Sequence, residues 1–232
     1  MQIDFKINYY LCDENVFLMH KNNIYNNFNS RQPLKLKILE TAIELFKKNG
    51  IKSIRMDDIA ANLSISKRTL YEIYSNKEVL LLECIKHNDK LIADDLMEYA
   101  EKAENEIDII VHFMKNRMHD WDSINHAFFI DIHKYPTVVE YIQAAHATRH
   151  EHSTDFFKRG VEHGFFVHSF NFEIIQKIFD ITMQHVIETE MYKNFSLKEI
   201  FQNLVLLTLR GCCTEKGLKQ LDRMLEEQWE TE

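Results

Sequence analysis

The chain has 232 residues, enough for one large or two small domains, and its 28 Lys and Arg against 36 Asp and Glu leave a net charge of −8. So acidic a chain is repelled by DNA as a whole, which confines any nucleic-acid contact to a local basic patch. With 45% hydrophobic residues, 5 Gly, 2 Pro and almost no alternating runs, it reads as all-helical. No run of 18 apolar residues suggests a membrane span, and the polar, acidic first residues do not read as a signal peptide, so a cytoplasmic location is expected.

In chain order, residues 1–31 come first. Seven of them are Asn, and no periodic apolar face develops, so a flexible extension is expected, with Met19 as a second possible start. From residue 32 the pattern changes. Leu36, Leu39, Ala42, Ile43 and Phe46 fall at helical spacing, with Gly50 following. Met56, Ile59, Ala60 and Leu63 line one face of a short second helix over residues 56–62, with Asp57 and Asp58 suited to the positive end of its dipole. Ser64 occupies the turn. Ser66 stands as N-cap before a third helix, from 67 to about 74. Leu70 and Tyr74 turn inward with Ile65, leaving Lys67, Arg68, Thr69, Tyr71 and Glu72 outward. Two cations, a hydroxyl and a phenol at an exposed helix start suit phosphates and base edges. A Ser75-x-x-Glu78 capping box is expected to open the next helix, with Lys77 at its mouth placed to hold a phosphate.

Charge follows the same division. Residues 33–77 carry nine Lys or Arg against five Asp or Glu, whereas residues 78–232 carry sixteen against twenty-eight. A small basic head on an acidic body is the pattern of a confined DNA contact.

The order and spacing of these pieces resemble the DNA-binding domain of the tetracycline-repressor (TetR) family of bacterial transcription regulators. The resemblance rests on the first-helix spacing, Gly50, Met56-Asp57-Asp58-Ile59-Ala60, Ile65-Ser66-Lys67-Arg68-Thr69-Leu70-Tyr71, Tyr74 and Ser75-Asn76-Lys77-Glu78-x-Leu80. It implies an N-terminal helix-turn-helix domain of three helices over 32–92, and a regulatory, ligand-binding and dimerisation bundle over 93–232. It also implies operator contacts from Ser66, Lys67, Arg68, Thr69 and Tyr71, and a backbone-phosphate contact from Lys77. Three departures stand out. Arg55 replaces the usual Ser or Thr cap, and is itself a candidate phosphate ligand; Ser64 replaces the turn Gly; Tyr74 replaces Phe.

Further helices are expected over 76–103 and 106–120, then to Lys134, from Pro136 to a Gly160-x-x-x-Gly164 stop, from 171 or 172, and from a cap at Phe195-Ser196 to Arg210-Gly211. An amphipathic tail over 218–229 closes the chain. The segment from Phe157 to Phe166 and the run Leu209-Arg210-Gly211 through Gly217 resemble the family's regulatory half more loosely. By that resemblance the last two long helices form a homodimer interface that includes Phe179, Met183, Ile187, Leu204, Leu207 and Thr208. The same stripes would serve an intramolecular core equally well. A pocket for a small-molecule effector is expected among Phe113, Arg117, Trp121, Phe129, Phe156 and Met183, though aromatics and Met at such spacing are more often plain core. Arg117, a cation within such a bundle, would call for an anionic partner.

Neither metal nor cofactor is expected. His112, His119, His126 and His133 recur at sevens, but a break at Asp122-Ser123 keeps them off one face. His146 and His150 share a face without a completed ligand set. Cys12, Cys84, Cys212 and Cys213 show no ligand spacing, and adjacent Cys212 and Cys213 read as packed side chains rather than a redox switch. Two classes of function follow. One is a dimeric repressor released from a palindromic operator by a ligand. The other is an all-α enzyme or small-molecule-binding protein whose N-terminal bundle is only structural; no nucleophile–base pair or phosphate loop supports it, so no enzyme is expected.

Overall fold

The computed structural model describes residues 32–229, so the expected N-terminal extension lies outside the described residues. Among these residues the structure is helical: α1 Gln32–Asn49, α2 Met56–Asn62, α3 Lys67–Ile73, α4 Lys77–Ala100, α5 Glu106–Ser123, α6 His126–Ile132, α7 Pro136–Glu162, α8 Phe172–Glu188, α9 Leu197–Cys212 and α10 Glu215–Trp229, with a single 3-10 turn at Met191–Lys193. The contacts divide the chain into two compact units. The smaller holds residues 32–92 and 123–144; the larger holds 93–122 and 145–229. The segment 123–144, expected in the body, therefore packs with the N-terminal bundle.

In the smaller unit, Ile38, Ala42, Phe46, Ile51, Ile59, Ala60, Leu70, Leu80 and Leu81 form a core closed to solvent. Burying each large apolar side chain contributes roughly 1.5–3 kcal/mol. Helix α1 stops at Gly50, where φ is +82° and the N–H of Gly50 bonds the Phe46 carbonyl at 2.9 Å. A side chain there is excluded twice over, because a Cβ would lie 2.8 Å from the Cβ of Ala127 in α6. Helix α6 docks beside this stop: the N–H of Asn125 donates to the Lys47 carbonyl at 2.7 Å, and Asp131 accepts from the Lys52 N–H and the Lys134 ammonium, both at 2.6 Å. Burial would raise the Asp131 pKa, but those two donors and their charges outweigh it and hold the carboxyl below its usual range.

The opening of α4 differs from expectation. Asn76, one residue later than Ser75, caps the helix by accepting from the Val79 N–H at 2.9 Å. Glu78 does not reach back to close a box. Its carboxylate accepts instead from the N–H and hydroxyl of Thr137, at 3.1 and 2.7 Å. A partner fifty-nine residues away has taken the side chain that a local box would have used.

In the larger unit, α7 ends in a left-handed turn at Gly164, φ +76°, with the N–H groups of Gly164 and Phe165 bonding the carbonyls of Val161 and Gly160 at 3.0 and 2.8 Å. Gly160 is bare because the Phe166 ring fills the space of a Cβ. Phe157 stacks on Phe172 with centroids 4.6 Å apart, and Phe166 meets both rings edge-on. Asn171 caps α8, and Ser196 and Glu199 form the reciprocal capping box of α9.

Candidate nucleic-acid interface

Helices α2 and α3 are joined by a turn at Ser64. Its φ of +54° places it in the left-handed region. The N–H groups of Ser64 and Ile65 bond the carbonyls of Ala61 and Ala60 at 3.1 and 3.0 Å, the same pair of bonds that closes α7 at Gly164. The chain thus makes a glycine-type stop with a serine, at a backbone cost of roughly 1–2 kcal/mol.

Arg55 precedes α2 in extended conformation, and its guanidinium has no acceptor with which to cap. Asp58 supplies the reciprocal half alone, accepting from the Arg55 N–H at 2.7 Å. The Arg55 side chain is exposed. Ser66 caps α3: its hydroxyl accepts from the Thr69 N–H at 3.0 Å and shares a proton with the Thr69 hydroxyl at 2.8 Å. Leu70 is closed to solvent, which fixes the rotation of α3 about its axis. Lys67, Arg68, Tyr71 and Glu72 are consequently presented outward.

Electrostatics on that face are locally balanced. The Lys67 ammonium bonds the Asp57 carboxylate at 2.5 Å, and that bond holds the lysine above its usual pKa. Arg68 bonds Glu72 one turn on, Nε to Oε1 at 2.9 Å, while its side chain remains 88% exposed. Exposed pairs of this kind are worth little in water and exchange readily for a stronger anion such as phosphate.

Lys77 is placed otherwise than expected. Its ammonium turns inward and donates to the carbonyls of Ile51 and Ile54, both at 2.7 Å, with burial lowering its pKa. Carbonyls left over from the turn before α2 are close enough to capture two of its three protons. Tyr74 is buried as expected, and burial pushes its phenol up to about 12.

The expected pocket residues fall in both units. Phe113, Arg117, Phe156 and Met183 are buried in the larger, Phe129 in the smaller, and the Trp121 side chain lies outside the described residues. The expected dimer residues divide as well. Phe179, Met183 and Ile187 are buried within their own unit, Phe179 edge-on to Phe201 at 6.0 Å, so they are core rather than outward surface. Exposed apolar groups lie elsewhere on the two helices: Ile174, Ile178 and Ile181 on α8, and Leu207, 75% exposed, on α9. Leu204 and Thr208 are half-buried. An i, i+4 stripe marks one apolar face; α8 has two, and the sequence did not say which turns outward.

Two of the histidines serve as hydrogen-bond partners inside the larger unit. His112 bonds Asp95 at 2.9 Å beneath Tyr99, and His163 bonds the buried Glu106 at 2.9 Å. The side chains of His119, His146 and His150 lie outside the described residues. Among the described residues, no three His, Cys, Asp or Glu side chains converge on a metal position.

A capped, basic, outward-facing helix held after a tight turn by a small bundle defines a helix-turn-helix protein. Residues 38–84 match the family described as bacterial regulatory proteins, tetR family. Among known proteins it is similar to the biofilm operon icaADBC negative transcriptional regulator IcaR of Staphylococcus epidermidis, 24% identical over 123 residues that cover 51% of this chain and 66% of IcaR. It is also similar to IcaR of Staphylococcus aureus strain Newman, 28% identical over 81 residues, 35% of this chain and 44% of that regulator. The matches thus span about two thirds or less of those relatives. Two solved structures share the fold: a TetR-family regulator from Agrobacterium tumefaciens (TM-score 0.64, 15% identity, 79% of this chain and 99% of that one) and a transcriptional regulator from Saccharomonospora viridis in complex with choline (TM-score 0.64, 18% identity, 79% and 99%).

Proposed function

We propose that the protein is a dimeric, cytoplasmic transcription repressor that leaves a palindromic operator when a small molecule binds its larger unit. The observation that carries this reading is the exposed start of α3, with Lys67, Arg68 and Tyr71 outward around a buried Leu70. Docked in the major groove, this helix offers Arg68 to a base edge and Lys67, Thr69, Tyr71 and Ser66 to backbone or base, with Arg55 on a flanking phosphate. Lys77 supports the same surface by fixing the carbonyls of Ile51 and Ile54 in the turn before α2.

Pairing through the exposed faces of α8 and α9, around Ile178, Ile181, Leu204, Leu207 and Thr208, covers apolar surface that one subunit leaves open to water. It also sets two recognition helices one DNA turn apart, roughly 34–36 Å, so that both bind one palindrome. The buried Phe113, Arg117, Phe156 and Met183 supply an effector site in the larger unit. An effector that binds more tightly to the spacing unable to span successive grooves shifts the population off DNA.

Electrophoretic mobility of DNA from the gene's own upstream region, at two salt concentrations, tests the proposal. The expected result is sequence-selective binding that weakens steeply with salt and is abolished by Lys67→Ala or Tyr71→Ala in folded protein. Equal affinity for upstream and random DNA overturns it. Mass spectrometry of small molecules that co-purify identifies the effector.

A further inference from the structure

The outward face of α3 carries one anion among its cations. Glu72 is exposed, one helical turn beyond Arg68, and bonds the Arg68 Nε at 2.9 Å through Oε1. On a surface built to meet phosphates, a carboxylate is repulsive unless a base donates to it. In the major groove two groups donate, the N6 amine of adenine and the N4 amine of cytosine. Adenine sets the N7 acceptor beside its amine, which repels a carboxylate; cytosine sets only a C5–H there. A carboxylate therefore selects cytosine. Because the bond to Glu72 uses Nε, the terminal nitrogens of the Arg68 fork remain available for the O6 and N7 of guanine.

We propose that Glu72 is a base-selecting residue of the DNA interface, accepting from the N4 amine of a cytosine in the base pair adjoining the one that Arg68 reads. This inference rests on the operator reading given above. Their i, i+4 spacing places the two side chains next to each other on the exposed face of α3, so that together they meet two adjacent positions in each half-site.

Selection from a random duplex library, with full-length wild type and the Glu72→Ala and Glu72→Gln variants at one salt concentration, tests it. Wild type is expected to enrich a half-site with cytosine at one fixed position, replacement of which weakens binding by about 5- to 150-fold. Glu72→Ala is expected to accept any base there while keeping the neighbouring guanine preference. Glu72→Gln is expected to move the preference to adenine, whose N6 and N7 a carboxamide meets together. An operator whose base preferences all survive Glu72→Ala, with affinity raised evenly, overturns this inference alone and leaves Glu72 as a simple repulsive charge. Loss of the guanine preference together with the cytosine preference in Glu72→Ala also overturns it, since Glu72 would then act only by positioning Arg68. Absence of any enriched sequence with wild type overturns the operator reading and this inference with it.

Discussion

Replacing Asp131 with Ala tests how the 123–144 segment holds the N-terminal bundle. The carboxylate is buried and accepts from two donors, the Lys52 N–H and the Lys134 ammonium, both at 2.6 Å. The first is a charge-assisted bond to a backbone donor, and its loss costs about 1.5–3 kcal/mol. The second involves an ammonium that is largely solvated, so its share is at most about 1 kcal/mol. The expected sum is about 1.5–4 kcal/mol, or a fall in Tm of roughly 3–16 °C for a chain of this size. Circular dichroism melts of wild type and Asp131→Ala measure it. The sign of the pH dependence follows from the lowered pKa of Asp131. Its stabilisation is fully present above the unfolded carboxylate value of about 3.9 and is lost as pH falls through the lower folded value. The gap between the two proteins therefore narrows below about pH 4. Equal Tm values at pH 7, or a gap that persists unchanged in acid, refute the reasoning.

Two further outcomes are expected. Ser64→Gly raises the urea midpoint, because it relieves a left-handed serine worth roughly 1–2 kcal/mol while adding roughly 0.5–1 kcal/mol of unfolded-chain entropy; a lowered midpoint shows that the serine side chain holds the turn in some other way. Cys84, Cys212 and Cys213 are buried, and burial raises the pKa of each thiol, that of Cys213 to about 12. Iodoacetamide at pH 8 is accordingly expected to label these three only after denaturation, as read by peptide mass spectrometry; rapid labelling of Cys212 or Cys213 in native protein contradicts their packed state.

Much of this protein was legible from local signals, because caps, turn residues and apolar periodicity act over a single helical turn. The helix over Leu36 to Phe46, the stop at Gly164 and the caps at Ser66 and Ser196 read correctly from neighbours three or four residues away, although Leu36 itself stays exposed. The outward set on α3 followed from Leu70 and Tyr74, whose inward spacing at i and i+4 fixes the rotation of a short helix. Tertiary structure decided what depends on distant partners. Thr137 draws Glu78 away from its local box, and the Ile51 and Ile54 carbonyls draw Lys77 inward. Segment 123–144 settles beside the bare Gly50, where Ala127 can approach. On α8, where apolar residues ring most of the helix, Phe179, Met183 and Ile187 went inside and Ile174, Ile178 and Ile181 stayed out. A helix's own sequence states how much of its surface is apolar; which part is covered depends on the shapes of the elements that pack against it.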